Sequence, residues 1–200
     1  MKPLLLVLAF LPLIAFSLLT RLLPSGDIGV VALVAVLCAV AAMVAVRPVW
    51  PPKILNVISL LLFAVLAVFG FASGASSDRW LATWAGAGVG LVIGLVILAL
   101  VPFVPFTEQF ARQSTPKAYW ASPTFKKINR VLSAVWGLAI VAVGVSRVTA
   151  AAVGRHAGHR LPDLLLGTAV PIVIVVYMLK FSKSYPDRVT QGEVGAHAVS

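Results

Sequence analysis

The residues with the greatest capacity for chemistry in this chain are two histidines, His156 and His159. On a helix, side chains three positions apart share one face, and such a pair can ligate a metal ion. The flanking Arg155 and Arg160 repel cations, and Asp163 is the only acidic residue close by in the sequence. We therefore interpret this stretch as a solvated loop and predict no metal site.

Other catalytic groups lack the partners that their chemistry requires. Cys38 is the only cysteine, which excludes an intrachain disulfide and a multi-cysteine metal or iron–sulfur site. No serine has the histidine and acid in a pattern typical of a hydrolase triad. The glycine cluster 86–90 lacks the strand and the lysine of a phosphate-binding loop. The sequence thus predicts no catalytic residue and no cofactor, and we do not expect an enzyme.

The composition explains the shortage of catalytic groups, because it indicates that most of the chain lies in lipid and not in water. Among 200 residues there are 16 Lys and Arg and 6 Asp and Glu, while 60% are hydrophobic and the mean hydropathy is +1.03. A soluble domain usually carries about 25% charged residues. A solvated surface cannot be built from so few polar side chains, so the composition indicates an integral membrane protein.

Six apolar segments have nearly the length of about 20 residues that a helix needs to cross a bilayer. Because these runs do not alternate apolar and polar residues, they are typical of helices and not of barrel strands. Short connections rich in Pro, Gly and Ser separate most of them, which predicts antiparallel neighbours. We expect an all-α, polytopic transmembrane helix bundle of three helical hairpins. The predicted spans are 4–20, 28–46, 54–71, 81–104, 128–146 and 164–181.

The two ends of the chain carry separate expectations. Lys2 and the leucine-rich run after it resemble the beginning of a signal peptide, but no clear cleavage site follows, so a retained first helix is the preferred interpretation. Residues 1–181 then form one transmembrane domain. The polar tail, 182–200, is expected to be disordered and cytoplasmic.

Positive charges predict the orientation. Five of the 16 basic residues fall between the fourth and fifth spans, and they are Arg112, Lys117, Lys126, Lys127 and Arg130. The positive-inside rule then places both termini in the cytoplasm. These cations are expected to contact anionic lipid headgroups, and no nucleic-acid-binding motif accompanies them. If the fifth span did not insert, the C-terminus would lie outside.

Small residues mark a packing face on the fourth span. Ala82, Gly86, Gly90 and Gly94 are spaced four apart and form one stripe, which lets another helix approach closely. The partner could be a helix of the same chain or of a second copy. The second span carries a weaker series of alanines, which are Ala32, Ala35, Ala39 and Ala42.

Residues 105–127 are predicted to form an amphipathic segment on the cytoplasmic surface. Thr107 is a candidate N-cap of a short helix, and Ser122 with Pro123 predicts the start of the next one. The segment is either a docking site for a partner or a lipid-anchored connection. The candidate docking residues are Phe106, Phe110, Arg112, Trp120, Phe125, Lys126, Lys127, Asn129 and Arg130.

A family resemblance follows from parts of the same region. The stretches 10–16 and 125–129, with Trp136, resemble the bacterial intracellular septation protein A family, and 106–112 is similar to related uncharacterised bacterial membrane proteins. The resemblance implies an inner-membrane protein linked to envelope synthesis and division, without known catalytic residues. A shorter internal similarity joins Lys53-Ile54-Leu55-Asn56 to Lys126-Lys127-Ile128-Asn129.

Three functions remain open from the sequence. The first is a non-enzymatic scaffold that binds a membrane-protein partner or a second copy of itself. The alternative is a small-solute transporter or export channel, suggested by Pro12 and Pro171 inside spans. That alternative predicts a cavity shared by the polar residues of the spans, which are Asn56, Thr83, Ser133 and Thr168. A lipid-modifying enzyme would have to use the Arg155–Asp163 cluster.

Overall fold

The chain folds as an all-α bundle in a computed structural model. The structure describes the backbone of residues 3–23, 28–45, 53–72, 75–157 and 161–198, and the side chains of these residues other than 3–7, 21, 75–79, 82, 83, 87, 154–157, 162, 163 and 192–198. No strand occurs in these ranges, which confirms the predicted fold class. Long apolar runs close all their backbone hydrogen bonds within one segment only as helices, which is why no sheet forms.

Six long helical segments coincide with the six predicted spans. They are α1 (Pro3–Leu22), α2 (Ile28–Ala45), α3 (Ile54–Ala72), α4 (Ala75–Leu100), α6 (Pro123–Ala157) and α8 (Val170–Ala198). Between α4 and α6 lie the short α5 (Phe106–Ala111) and a 3-10 turn, Lys117–Tyr119. A four-residue α7 (Leu161–Leu164) and a wider π turn, Leu165–Ala169, lead into α8.

Four stretches among the described side chains are long and apolar enough to cross a membrane: Ile28–Ala45, Ile54–Ala72, Pro123–Val153 and Leu165–Gln191. Helices α1 and α4 contribute shorter apolar stretches, Leu8–Thr20 and Trp84–Leu100. The outer surface of these helices is apolar as well, since Leu37, Val68 and Val173 are 60 to 67% exposed.

The contacts between helices show antiparallel packing of α2 with α3, of α4 with α6 and of α6 with α8. The closest contacts, however, are those of α4 with α6 and of α2 with α3, while α3 and α4 touch only slightly. The expected hairpin of the third and fourth spans is therefore open, because glycines favour other pairs. A Cβ on Gly70 would lie 2.6 Å from the Cα of Gly29, so α2 and α3 approach backbone to backbone.

The glycine stripe of α4 packs against α6 of the same chain. Gly90 faces Gly144, and a Cβ on Gly94 would lie 2.8 Å from the backbone nitrogen of Val141. Gly86 faces Thr20 of α1 instead. The side chain of Ala82 lies outside the described residues. The weaker stripe on α2 is fully buried, because Ala32, Ala35, Ala39 and Ala42 are 0 to 1% exposed.

The last helix differs from the sequence prediction of a disordered tail. Helix α8 continues through the polar residues to Ala198. Tyr177, Phe181 and Tyr185 stack one turn apart, with ring centroids separated by 6.4 and 5.2 Å. Such i,i+4 pairs favour a helix, and low hydrophobicity alone does not reveal them.

Helix α6 also extends further than the predicted span, from Pro123 to Ala157. Arg147, which lies just beyond the predicted span 128–146, is consequently a helical residue within the apolar stretch Pro123–Val153. The apolar residues around it favour continued helix over a break, since no Pro or turn signal intervenes before position 157. The side chains of His156, His159 and their arginine neighbours lie outside the described residues.

Candidate functional site

Helix α5 folds back onto the bundle and forms the base of the candidate site. Phe106 and Phe110 are each 2% exposed, and their rings meet edge to face at 6.4 Å. Thr107 between them is completely buried. The N-cap position belongs to Pro105, so Thr107 is not the predicted cap. Its side chain is free to bond with another helix instead.

Thr107 joins α5 to the start of α6 through three hydrogen bonds. Its hydroxyl donates to the carbonyl oxygen of Asn129 at 2.8 Å, and its backbone N–H donates to Ser133 Oγ at 3.2 Å. The two hydroxyls are 2.8 Å apart. Because the single Thr107 proton is already donated, the Ser133 hydroxyl must donate to Thr107 Oγ1. Both buried hydroxyls are therefore satisfied.

A second link connects α5 to the start of α3. The Ile54 backbone N–H donates to Gln109 Oε1 at 2.8 Å. The first N–H groups of a helix have no partner within it, so this side-chain amide satisfies an otherwise orphaned donor. Lys53 Nζ lies 5.4 Å from the centre of the Phe110 ring, a cation–π contact. We call the contacts among α3, α5 and α6 at this end the polar junction.

Lys53 is the least expected member of the polar junction. Its side chain is only 6% exposed, and among the described side chains the one ion pair joins Arg112 to Glu108. Burial disfavours the charged ammonium and lowers the pKa of Lys53 from its ordinary value of 10.5. The face of the Phe110 ring offsets part of this desolvation cost.

Two asparagines occupy matching positions in the polar junction. Asn56 and Asn129 are each 1% exposed and lie near the starts of α3 and α6. Asn129 Nδ2 donates to the Phe125 carbonyl oxygen at 2.8 Å, while the Oδ1 atoms of both asparagines are buried without a hydrogen bond. The short similarity of residues 53–56 to 126–129 gives each helix a buried asparagine in its first two turns, but Lys53 is buried whereas Lys126 is exposed.

Outside the polar junction, cations line an exposed surface. The Arg112 guanidinium lies 2.5 Å from Glu108 Oε1 and 4.9 Å from the centre of the Trp120 ring. Trp120 Nε1 donates to the Thr115 carbonyl oxygen at 2.9 Å, which orients the indole. Ser122 Oγ accepts from the Phe125 N–H at 3.2 Å, so Ser122 caps α6 as predicted.

We call this surface the basic platform. Its cations are exposed, whereas Trp120 and Phe125 are half-buried beside them. Platform residues can donate several hydrogen bonds to phosphate or carboxylate groups, and arginine does so in bidentate geometry. The cations of the platform are Arg112, Lys117, Lys126, Lys127 and Arg130.

The structure separates the predicted docking residues into three groups, of which one is the half-buried pair Trp120 and Phe125. Arg112, Lys126, Lys127 and Arg130 are exposed. Phe106, Phe110 and Asn129 are buried in the chain's own core, so their prediction as part of an exposed docking face is wrong. The reason is that α5 covers the ends of α3 and α6, which an isolated amphipathic pattern cannot reveal.

Sequence reasoning missed the roles of Lys53, Gln109 and Ser133. No local signal relates Gln109 to Ile54, because the two are far apart in the chain. The described residues contain no group of His, Cys, Asp and Glu that could hold a metal ion. No protein-family model, curated protein or solved structure matches this chain.

Proposed function

We propose that the protein is a non-enzymatic, multi-pass protein of the bacterial inner membrane that serves the cell envelope or division as a scaffold. In this proposal the basic platform faces the cytoplasm, where it binds anionic lipid headgroups and a membrane-protein partner. The observation that best supports this proposal is that the exposed cations lie on a segment that the polar junction fixes to the bundle.

That fastening distinguishes the platform from a flexible basic loop. Thr107 bonds to α6, Gln109 bonds to α3, and Phe110 lies under Lys53. The cations are thus presented on a rigid base, which reduces the entropy lost when they bind. A fixed arrangement of cations and a half-buried indole suits recognition at a membrane surface, where Trp and basic residues meet headgroups.

The apolar exterior supports membrane embedding. A contiguous apolar surface of this extent is rare on a soluble monomer. It is ordinary for helices that contact lipid tails. Arg130 and Lys127 near the start of α6 adjoin that apolar surface, which is where headgroup-binding cations are expected.

Orientation is tested with single cysteines in a Cys38→Ser background. Ser122→Cys, at the start of α6, should react with a membrane-impermeant maleimide only in inverted vesicles. Leu23→Cys, which follows α1 at the other end of the bundle, should react only in spheroplasts. Reaction of Ser122→Cys in intact spheroplasts would contradict a cytoplasmic platform.

Partner binding is tested by a photo-crosslinking amino acid at position 127 in living cells. We expect the same membrane protein in independent captures. Replacement of Lys126 and Arg130 by glutamine should abolish that capture, because it removes cations around the probe. The matched control is Lys183→Gln with Arg188→Gln, which removes two exposed cations from α8 and should preserve it. Capture that survives loss of the platform cations would contradict the proposal.

The transporter alternative predicts a cavity shared by the polar residues of the spans, and the described residues do not form one. Ser133 is bonded to Thr107, Asn56 is buried at the start of α3, and Thr168 lies in the π turn. None of these three lines the apolar cavity described below, and the Thr83 side chain lies outside the described residues. We therefore do not propose a transport function.

A further inference from the structure

An apolar cavity of about 160 Å³ lies between α1, α4, α6 and α8. Phe10, Trp136, Ile140 and Met178 contribute buried or half-buried walls. Apolar cavities of this size exclude water and accept apolar ligands. The chemistry of the walls therefore favours a hydrocarbon occupant.

One end of the cavity is closed by bonded aromatic side chains. The rings of Phe10 and Trp136 stack at 5.4 Å, and Trp136 Nε1 donates to Ser182 Oγ at 2.8 Å. These contacts join α1, α6 and α8. Exposed residues, including Ile14 and Val175, line another part of the cavity, so it opens sideways onto the apolar exterior.

The other end of the cavity carries Arg147, the one charged residue among the described side chains that line it. An arginine within an apolar membrane-spanning stretch is costly unless its guanidinium finds polar partners or reaches the headgroup level. A helical rise of 1.5 Å per residue places Arg147 about 16 Å from Trp136 along α6. That length is close to one leaflet, half of the roughly 30 Å hydrocarbon core.

The π turn before α8 is bonded to α6 next to Arg147. In the π turn, the Val170 N–H bonds to the Leu165 carbonyl five residues earlier. The next such bond would need an N–H from Pro171, which proline lacks. Ser146 Oγ donates to the Leu166 carbonyl oxygen at 2.6 Å and supplies the missing donor. Arg147 is thus adjacent to a residue that fixes α6 against the start of α8.

We propose that this cavity binds one glycerophospholipid molecule of the leaflet opposite the basic platform. A segment of one acyl chain occupies the space between α1, α6 and α8, the rest of that chain lies in the bilayer outside the side opening, and Arg147 binds the phosphate. Guanidinium groups form strong, charge-assisted hydrogen bonds with phosphate oxygens. The inference rests on the membrane embedding in the proposed function, but it is independent of the basic platform.

The test uses phosphatidylglycerol with a diazirine midway along one acyl chain, in phosphatidylcholine vesicles that contain the full-length protein. Labelling is measured by mass spectrometry at the cavity, around Ile174 and Met178, and at Leu37, an exposed residue of α2 outside the cavity. We expect about tenfold more labelling at the cavity, the factor that a charge-assisted contact gives. Equal labelling at the two places would overturn the proposal.

Two kinds of variant distinguish binding of the lipid's acyl chain from binding of its headgroup. Ala139→Phe should fill the cavity and reduce its labelling to the level at Leu37, and Ile174→Phe fills it from α8 if the first variant fails to fold. Arg147→Gln should reduce labelling by phosphatidylglycerol about tenfold but leave labelling by the matching diacylglycerol unchanged. Arg188→Gln, which removes an exposed cation of α8 outside both the platform and the cavity, is the control and should change neither.

Each remaining outcome has a definite meaning. Cavity labelling that persists in a folded, cavity-filled variant overturns the site. A preference for phosphatidylglycerol that survives Arg147→Gln overturns the headgroup assignment and hence the proposal. Labelling at Leu37 reports bilayer contact independently, so its absence would be a failure of membrane embedding and not of the cavity alone.

Discussion

The two halves of α6 solve different packing problems. Its first turns join the polar junction, where Thr107, Asn129 and Ser133 exchange hydrogen bonds in a buried space. Its second half carries Gly144 and Arg147, where glycine contacts bring the backbones together and an apolar cavity lies alongside. The first half of α6 is held to its neighbours by hydrogen bonds, and the second half by close packing of backbones.

The difference follows from what each half can use. Near a membrane surface, polar side chains can fold inward because the connecting segment supplies partners for them. Between lipid tails, helix association gains little from apolar burial, since lipid is as apolar as leucine. Close backbone approach through glycine then provides the contact. Arg147 is conspicuous for the same reason, because it lies among apolar residues on this half of the helix.

The largest effect should come from the glycine contact. A Cβ on Gly144 would lie 2.6 Å from the Leu91 backbone nitrogen and 2.9 Å from its Cα, and backbone atoms cannot rotate away. We expect Gly144→Ala to lower the free energy of unfolding by about 3 kcal/mol. Thermal unfolding in mild detergent, followed by circular dichroism, measures this loss.

The matched control is Gly88→Ala on α4. No atom lies within 4 Å of the position that its Cβ would take. This change should be neutral or should add up to about 1 kcal/mol, because alanine favours helix over glycine. Equal losses in the two variants would show that shape does not hold this half of α6.

The polar junction should respond next most strongly. Thr107→Val keeps the side-chain shape but leaves the Ser133 hydroxyl without its acceptor in a buried site. We expect a loss of about 2 kcal/mol in unfolding free energy, the typical cost of an unsatisfied buried group. Chemical unfolding in detergent, monitored by tryptophan fluorescence, measures it.

Two variants control this prediction. Thr149→Val removes an exposed hydroxyl that bonds only to the Val145 carbonyl of its own helix, and it should cost little. Thr107→Val combined with Ser133→Ala should cost less than the sum of the single changes, since both partners are then gone. A larger loss from Thr149→Val than from Thr107→Val would overturn the role of the network.

A smaller, pH-dependent effect is expected from Lys53. Because burial lowers its pKa below 10.5, the unfolded chain binds more protons than the folded one as pH approaches that value. Stability should therefore rise with pH between the lowered pKa and 10.5. Lys53→Met should flatten this rise, because the variant lacks the group that titrates. Unfolding midpoints from pH 7 to 10.5 in both proteins provide the measurement, and parallel curves would contradict it.

The smallest effect on stability is expected at the platform surface. Arg112→Gln removes an exposed ion pair and a cation–π contact, each of which is screened by water. We expect a loss of about 0.5 kcal/mol. Calorimetric scans of the original protein and the variant, with and without 0.5 M salt, check this. High salt should reduce the difference between their unfolding temperatures, because it screens the ion pair. A loss as large as that of Thr107→Val would erase the distinction between platform and polar junction.

Much of the local architecture could be predicted from the sequence. The long apolar runs predicted helices at nearly the observed positions, and Ser122 with Pro123 predicted the start of α6. The stripe from Gly86 to Gly94 predicted close packing. These features depend on composition and short spacing, which act within a few helical turns and are therefore readable along the chain.

The site was less predictable because its contacts join distant residues. The amphipathic pattern of residues 105–127 suggested that Phe106 and Phe110 face a partner, whereas α5 turns them into the chain's own core. The predicted span 128–146 excludes Arg147 because charge usually marks a membrane edge. Its place on α6 depends on how far that helix continues through its neighbours.

The sequence by itself determined that the chain is helical, that its outer surface is apolar and that its cations cluster around residues 112–130. Each of these properties is a sum over residue types or a short-range period. Only the tertiary structure decided that Lys53 lies over Phe110, that Gln109 caps α3, and that Trp136 and Arg147 mark the two ends of one cavity. Those relations arise when separate helices pack, and packing is set by the three-dimensional fit of all the helices together.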